Sequence, residues 1–270
     1  MILMVLGVFF INLSNVFAKL LYQSNEIVTV IEVQVTSRFI QMIPNFLVIM
    51  YFKIDMRVAF EKEVFKKLMF RSVFGYTTWT AMYFSVKYLP LGLIQTVQNL
   101  VPFLTLILSY ILLKETLKRL EILNMIVCFV GVLIVVGYSS KAGPSSAAGG
   151  AFFTASLIAI FYAAGMLAVV NVLIRSLKAV HWAIMALFQA VTGFCFSAAL
   201  WLAYRFVAGE VEYGFGLADF ALMTGMGCGI AAGQILWIKA LQLDKAGRCA
   251  SITMLNIVFA YAFDILIFSY

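Results

Sequence analysis

The chain has 270 residues, of which 64% are hydrophobic and 11% are charged, and its mean hydropathy is +1.03. A soluble domain carries about 45–50% apolar and about 25% charged residues, and a globule of this length has too little interior to hide the excess. The composition therefore excludes a soluble enzyme, a secreted disulfide scaffold and a disordered tail. It predicts an all-α polytopic membrane protein with a formal net charge of +7.

A membrane-spanning helix needs about 20 mostly apolar residues. Nine runs of the chain satisfy this length, and each is a predicted span. In chain order they are 1–22, 27–52, 66–88, 91–113, 120–138, 150–174, 180–206, 217–241 and 247–270. The Gly/Ser/Pro-rich stretch 139–149 has the composition of a flexible linker. It divides the chain into a first domain, 1–138, and a second, 150–270.

The basic residues are distributed unevenly among the loops between these runs. With a cytoplasmic N-terminus, fourteen Lys and Arg fall in inside loops and three in outside loops. Cytoplasmic loops of membrane proteins carry such an excess, so we predict a cytoplasmic N-terminus. Because orientation accounts for the basic excess, we expect no nucleic-acid partner. The count includes Arg71 in the longest inside loop, 53–71. That loop is either an amphipathic helix on the cytoplasmic face or a charged connector that continues into the third span.

Catalytic and metal-binding patterns are missing from the sequence. The four cysteines are scattered, and the one histidine, His181, has no second His or Cys nearby. This spacing predicts neither a disulfide framework nor a metal site. Because no Ser–His pair or acidic cluster occurs in or near the spans, a multi-pass enzyme is the weakest hypothesis. We expect no catalytic residue, no metal and no cofactor.

The two halves of the chain are related by a weak internal repeat, found at a shift of 154 residues or slightly fewer. The aligned pairs are Gly75 with Gly229, Pro102 with Asn256, Lys19 with Asn171, and Arg38 with Gln189. Repeats of five helices, an odd number, enter the membrane from opposite sides, as in many secondary transporters. The second half shows only four spans. We therefore expect a fragment whose tenth helix is missing, with a true nine-span protein as the alternative.

Four motifs of the first half point to a known family. They are Tyr88–Gly92, Asn99–Pro102, Leu112–Glu115 and the glycine-punctuated stretch Gly131–Gly137. With Glu115 following Pro102 by 13 residues, the pattern resembles the EamA-type repeat of the drug/metabolite transporter superfamily. Lys19, Glu32, Arg38 and Arg71–Gly75 also resemble the G branch of solute carrier family 35. The resemblance implies ten helices in two inverted five-helix repeats, an alternating-access carrier and no enzyme activity.

Polar residues inside the spans are the candidates for solute binding, since an ionisable group at a helix centre costs at least about 2.5–3.5 kcal/mol. We expect Arg38 to bind an anionic group in a central cavity, with Glu32 balancing charge or carrying a proton. Lys19 and Glu32 flank the turn 23–26 and are expected to pair, either in the cavity or as a structural link between the first two helices. The further cavity candidates are Asn99, Pro102, Asn171, Gln189, Gln234 and Asn256.

Five residues are assigned gating or structural roles. They are Glu115, Asp264, Gly225, Gly229 and Gly233. Glu115 has Lys114 and Lys118 beside it, which favours a salt bridge. The glycines recur every four residues, a spacing that permits close helix packing. Pro102 lacks an N–H and is expected to kink the fourth span.

The leading functional hypothesis is a secondary-active transporter of a small organic solute, an organic anion or a metabolite, embedded in a lipid bilayer. The alternatives are a non-transporting membrane scaffold or regulator that keeps the carrier fold, and a nucleotide-sugar-type exchanger. A homodimer and the identity of the membrane are left open. A polar central chamber would distinguish the carrier from the scaffold.

Overall fold

Nine α-helices form the described part of the chain in this computed structural model. The structure describes residues 2–25, 28–113, 147–177, 179–208, 216–243 and 252–268 without 254, with six scattered residues between 123 and 134. The helices are α1 (Ile2–Ser24), α2 (Val30–Tyr51), α3 (Lys62–Tyr88), α4 (Leu91–Gln98), α5 (Val101–Leu113), α6 (Ala147–Ser176), α7 (Trp182–Ala208), α8 (Leu217–Leu243) and α9 (Leu255–Phe263). A 3₁₀ turn, Arg57–Phe60, precedes α3, and a π-helical turn, Asp264–Phe268, follows α9. These residues contain no strand, so the predicted all-α class is confirmed.

Five helical stretches are long and apolar enough to cross a membrane. They are Ile2–Ser24, Leu91–Leu112, Gly150–Ser176, Trp182–Phe206 and Leu217–Leu243. The predicted spans 27–52 and 66–88 form α2 and α3, which carry more charged and polar residues. The predicted span 120–138 falls mostly outside the described residues. The nine-span count and the ten-helix architecture therefore stay predictions.

Local sequence signals explain where the helices of the first half begin and end. Thr29 and Glu32 form a capping box at the start of α2, in which the Thr29 N–H donates to Glu32 Oε2 at 2.9 Å. This reciprocal pairing satisfies two amides that the first turn leaves without helical partners. At the end of α3, Leu89 is extended and Pro90 precedes α4. The chain thus turns at the Leu89–Gly92 motif.

The predicted fourth span is broken into two helices around its proline. α4 ends at Gln98 and α5 begins at Val101. Pro102 lies in the first turn of α5, where a residue without an N–H is tolerated, and it cannot continue the hydrogen bonding of α4. The Asn99 N–H still donates to the Gln95 carbonyl at 3.0 Å. The expected kink is therefore a complete interruption near the middle of the run.

The loop 53–71 contains no separate amphipathic α-helix. After the short 3₁₀ turn, the chain enters α3 at Lys62, so most of the charged stretch belongs to that helix. Of the two alternatives for this loop, the connector that continues into the third span is the one observed.

The bundle has two ends, each with its own apolar core. The end that we call distal contains the end of α1, the start of α2 and the turn 89–90, and its core includes Leu21, Val86 and Ile94. The end that we call proximal contains the start of α1 and the start of α7, and its core includes Met4 and Ile184. Across the bundle, α1 packs against α8, α3 against α6, and α2 against α7.

Candidate functional site

A cavity extends from the middle of the bundle to the proximal end. Its polar lining residues are Arg71, Thr78, Gln95, Gln98, Asn99, Thr105, Asn171, Arg175, Gln189, Gln234, Thr253 and Asn256. Trp79, Trp237 and several aliphatic side chains complete the wall. Among the described residues that line it there are two arginines and no Asp or Glu. The described lining is therefore rich in amides and contains a buried arginine, Arg71.

Six of the predicted cavity residues lie together in this lining. They are Asn99, Pro102, Asn171, Gln189, Gln234 and Asn256. Asn256 on α9 accepts a hydrogen bond from Asn12 of α1 at 2.7 Å, and Asn171 on α6 donates to Thr105 of α5 at 3.5 Å. Both amide atoms of Gln98 are buried without a hydrogen-bond partner in the described part of the chain. The lining thus keeps spare donors and acceptors for a polar solute.

Arg71 is the buried cation of the cavity, and the sequence analysis wrongly counted it among the loop charges. Its side chain is 1% exposed, because α3 begins nine residues earlier at Lys62. Its Nη1 donates to the Met185 carbonyl at 2.8 Å and to Gln189 Oε1 at 3.4 Å. These partners are neutral and its Nε has none among the described residues, so no described side chain balances the positive charge.

The Gln189 amide is held between Arg71 and the backbone of α3. It accepts from Arg71 and donates to the Ser72 carbonyl at 3.4 Å. A side chain at position 75 would overlap this amide, so only glycine leaves room for it. Gly75 therefore positions Gln189 in the cavity wall.

The predicted pairing of Lys19 with Glu32 is wrong. Lys19 Nζ lies 3.4 Å from Asp264 Oδ1, and both side chains are buried. Asp264 also accepts from the backbone N–H groups of Leu91 and Gly92 at 3.3 and 2.6 Å. Glu32 instead closes the capping box of α2. Neither Lys19 nor Glu32 lines the cavity, because the distal core separates both from it.

Asp264 completes a buried network at the distal end. Its carboxylate lies at the N-terminus of α4, where the helix dipole favours negative charge, and opposite the Lys19 ammonium, which also lies 4.7 Å from the Phe268 ring centroid. The network ties α1, α4 and the π-helical turn together at the end of the bundle remote from the cavity mouth.

Arg38 also lies outside the lining, which corrects its expected position. Its side chain is fully buried in α2, and Nη1 donates to Gln41 Oε1 at 2.8 Å. Gln41 in turn donates to Gln234, a cavity residue. The guanidinium carbon is 5.4 Å from the centroid of the Trp79 ring, and Trp79 lines the cavity. Arg38 is therefore directly behind the cavity wall.

The glycines of α8 face α1 at successive turns. A Cβ at Gly225 would lie 3.1 Å from the Phe17 ring, one at Gly229 would lie 3.2 Å from Ser14 Cβ, and one at Gly233 would lie 3.1 Å from the Gly7 carbonyl oxygen. Contacts this short favour residues without a side chain. Glu115 lies outside the described residues.

The sequence analysis missed several lining residues that a helical periodicity would have found. Arg71, Gly75, Thr78 and Met82 are spaced by four, three and four residues, which places them on one face of α3. The same rule applies to the lining residues of the fourth span, which include the polar residues Gln95, Gln98, Asn99 and Thr105. Their polarity within an apolar run was the available signal.

Comparison with known proteins gives one matching family and several relatives. The model of the EamA-like transporter family matches residues 1–137. Human solute carrier family 35 member G1 is 26% identical over 218 residues, covering 75% of this chain and 55% of the human protein. Its mouse counterpart is 25% identical over 205 residues, covering 74% of this chain and 55% of the mouse protein. The chain spans about half the length of these curated relatives.

A yeast protein and a solved structure extend the comparison. A probable transport protein of Saccharomyces cerevisiae is 25% identical over 218 residues, covering 75% of this chain and 61% of the yeast protein. One crystal structure is similar with a TM-score of 0.68 and 15% identity, covering 98% of this chain and 87% of the other. At that identity the likeness concerns the fold alone.

Proposed function

The chain belongs to the EamA-like transporter family, and on that premise we propose that it is a secondary-active carrier that moves a small organic anion across a membrane by alternating access. The membership itself makes it a multi-pass membrane protein of a transporter family. The nature of the solute and the mechanism are our proposals. The observation that carries them is Arg71, a buried arginine in the cavity wall whose described hydrogen-bond partners are neutral.

The charge of Arg71 supports an anionic solute. An arginine inside a span costs at least about 2.5–3.5 kcal/mol, and here its described hydrogen-bond partners are neutral. An anion bound in the cavity would offset that cost, because a hydrogen bond to a charged group contributes about 1.5–3 kcal/mol. Arg175 in the last turn of α6 also lines the cavity, on the side from which a solute would enter.

The amides and the tryptophans support an organic solute rather than a bare inorganic ion. Gln98 and Asn99 have buried donors without partners in the described chain, which suits hydroxyl or carbonyl groups of a ligand. Trp79 and Trp237 in the same lining offer flat apolar surfaces. Ligand pockets commonly combine an apolar wall with a few polar groups that fix orientation.

The helix pairing supports two inverted repeats. If α1, α2 and α3 correspond to α6, α7 and α8, exchanging the halves turns the α1–α8 contact into the α6–α3 contact and leaves α2–α7 unchanged. Such reciprocity is what a two-fold relation between repeats requires. A polar cavity whose lining lies nearer to one end of the bundle than to the other fits one state of an alternating-access cycle.

Uptake by the full chain in proteoliposomes tests the proposal. We expect uptake of at least one solute in a panel of mono- and dicarboxylates and phosphate esters. Arg71→Met should reduce it at least tenfold, because about 1.4 kcal/mol of lost binding corresponds to a factor of ten. Arg71→Lys should be intermediate, and the exposed control Arg57→Met should leave uptake unchanged.

Two results would contradict the carrier proposal. Uptake of neutral solutes only, unaffected by Arg71→Met, would overturn the anionic substrate class. No uptake of any solute by folded protein would favour the scaffold hypothesis.

A further inference from the structure

A second buried cation lies beside the cavity and has no place in the proposed binding site. Arg38 is 0% exposed. Of its guanidinium nitrogens, Nη1 donates to Gln41, whereas Nε and Nη2 have no acceptor in the described part of the chain. Among the described residues, the ion pair within 4.0 Å is Lys19–Asp264. No described carboxylate therefore lies within that distance of the Arg38 guanidinium.

This arrangement is expensive for a membrane protein. Burying a charge without a counter-charge is destabilising even after relaxation, and each buried donor without an acceptor adds a desolvation penalty. A methionine of similar volume would avoid both costs. The persistence of an arginine at this position therefore needs a reason other than packing.

The two unsatisfied nitrogens are adjacent on the guanidinium. Nε–H and Nη2–H point to the same side of the planar group, and together they form an edge that matches the two oxygens of a carboxylate or phosphate. Gly193 of α7 lies alongside the stem of this side chain, because a Cβ there would be 3.2 Å from Arg38 Cδ. The guanidinium is thus held in place while one edge is left without an acceptor.

Two neighbours connect Arg38 to the cavity. Trp79 lines the cavity and has its ring 5.4 Å from the guanidinium carbon, a distance typical of a cation–π contact. Gln234 also lines the cavity and accepts the hydrogen bond of Gln41, which itself accepts from Arg38. The indole of Trp79 therefore forms a partition between the cavity and the cation.

We propose that Arg38 is a second oxyanion-binding position, opened to the cavity when the Trp79 side chain rotates, and that it holds a carboxylate or phosphate group of the bound solute. The proposal rests on the proposed carrier function and adds a specific residue to it. It follows that anion binding displaces the indole from the guanidinium. Trp79 then acts as a positioning residue, whereas Arg38 contacts the solute.

The experiment monitors Trp79 directly in the full chain. Trp182 and Trp201 are replaced by phenylalanine, whereas Trp237 is kept because it lines the cavity. Emission is titrated with succinate and, separately, with inorganic phosphate at constant ionic strength, and the part of the response that Trp79→Phe removes is assigned to Trp79. We expect a saturable change in emission. Arg38→Met should abolish it or raise the half-saturating concentration at least tenfold, and the exposed control Arg57→Met should not alter it.

The two anions identify the chemistry that Arg38 prefers. A response to succinate alone supports a carboxylate ligand, and a response to phosphate alone supports a phosphate ligand. No response to either anion in the parent chain, or an equal response in Arg38→Met, would overturn the proposal.

A thermal melt without anion distinguishes binding from a structural role. If Arg38 serves binding, Arg38→Met removes an uncompensated charge and should unfold at the same or a higher temperature. A lower unfolding temperature of Arg38→Met, with the Trp79 response retained at full affinity in that variant, would assign Arg38 to structure and overturn the proposal. Uptake assays remain separate: loss of all uptake in the parent chain contradicts the carrier function, whereas the Trp79 titration tests Arg38.

Discussion

Replacing Asp264 with leucine tests the network that closes the distal end of the bundle. The carboxylate is 3% exposed and has three partners, namely Lys19 Nζ at 3.4 Å and the N–H groups of Leu91 and Gly92 at 3.3 and 2.6 Å. Removing one partner of a buried ion pair costs about 3–5 kcal/mol, and losing a side-chain acceptor at a helix N-terminus costs about 0.5–2 kcal/mol. Because these terms overlap, we expect Asp264→Leu to lower the free energy of unfolding by about 4 kcal/mol.

The matched variant Lys19→Met should cost much less. Without the ammonium, the Asp264 carboxylate still accepts from two amides of α4 and still lies at the positive end of that helix, an interaction that contributes up to about 2 kcal/mol in partly buried sites. We expect about 1–2 kcal/mol for this variant. The double variant should cost less than the sum of the two, because it removes both charges together.

The measurement is reversible unfolding of the purified chain in mixed micelles, monitored by circular dichroism, for the parent and the three variants. A Lys19→Met cost equal to or above that of Asp264→Leu would show that the α4 amides do not stabilise the carboxylate. Additive costs in the double variant would show that the 3.4 Å pair carries no coupling. Either result would refute the reasoning.

Three smaller changes test the packing around the cavity. Gly75→Ala should displace the Gln189 amide and lower solute uptake with little change in unfolding temperature, whereas Gly165→Ala, where an added Cβ meets nothing within 4 Å, should change neither. Gly233→Ala should destabilise the bundle by about 1–3 kcal/mol, as over-packing does, since its Cβ would lie 3.1 Å from a backbone oxygen of α1; an unchanged unfolding midpoint would contradict the contact. Glu32→Ala should cost about 1 kcal/mol of stability by opening the capping box, and a loss of uptake out of proportion to that cost would restore Glu32 to the transport site.

The helices were largely predictable because the signal for them is local. A run of about 20 apolar residues has few alternatives to a spanning helix. The capping residue Thr29 sets the start of α2, and Pro90 follows the end of α3. The break before Pro102 was predicted only as a kink. Whether a proline bends a helix or ends it depends on whether neighbouring groups satisfy the freed backbone, which the sequence does not specify.

The pairing of charges was not predictable from proximity in the chain. Lys19 and Glu32 are 13 positions apart, yet Lys19 pairs with Asp264, 245 positions away. A cation pairs with the carboxylate that the fold brings within about 4 Å, and sequence spacing beyond a single helix does not set that distance. Glu32 was already satisfied within its own helix by Thr29, a local signal that the capping-box pattern contains.

The cavity residues likewise include some that local sequence patterns predicted and one that only the fold revealed. Polar side chains in the second half of the chain, such as Asn171 and Gln234, were recognised because they interrupt apolar runs. Arg71 was assigned to a loop because the residues preceding it, Lys62 to Lys67, are mostly charged. Only the helix that continues through them shows that Arg71 is buried.

The sequence by itself determined that this chain is a helical membrane protein, because composition and the length of apolar runs are properties of the chain alone, and the motifs around Pro102 carry its resemblance to the EamA-like family. The tertiary structure decided which of two buried arginines lines the cavity and which lies behind it, and which carboxylate meets Lys19. Those outcomes depend on how α2, α3 and α7 pack, since the cost of a buried charge is set by the groups within a few ångströms of it. The net charge of +7 does not indicate which cations are buried. The packing of the helices places Arg71 in the cavity wall and Arg38 behind it.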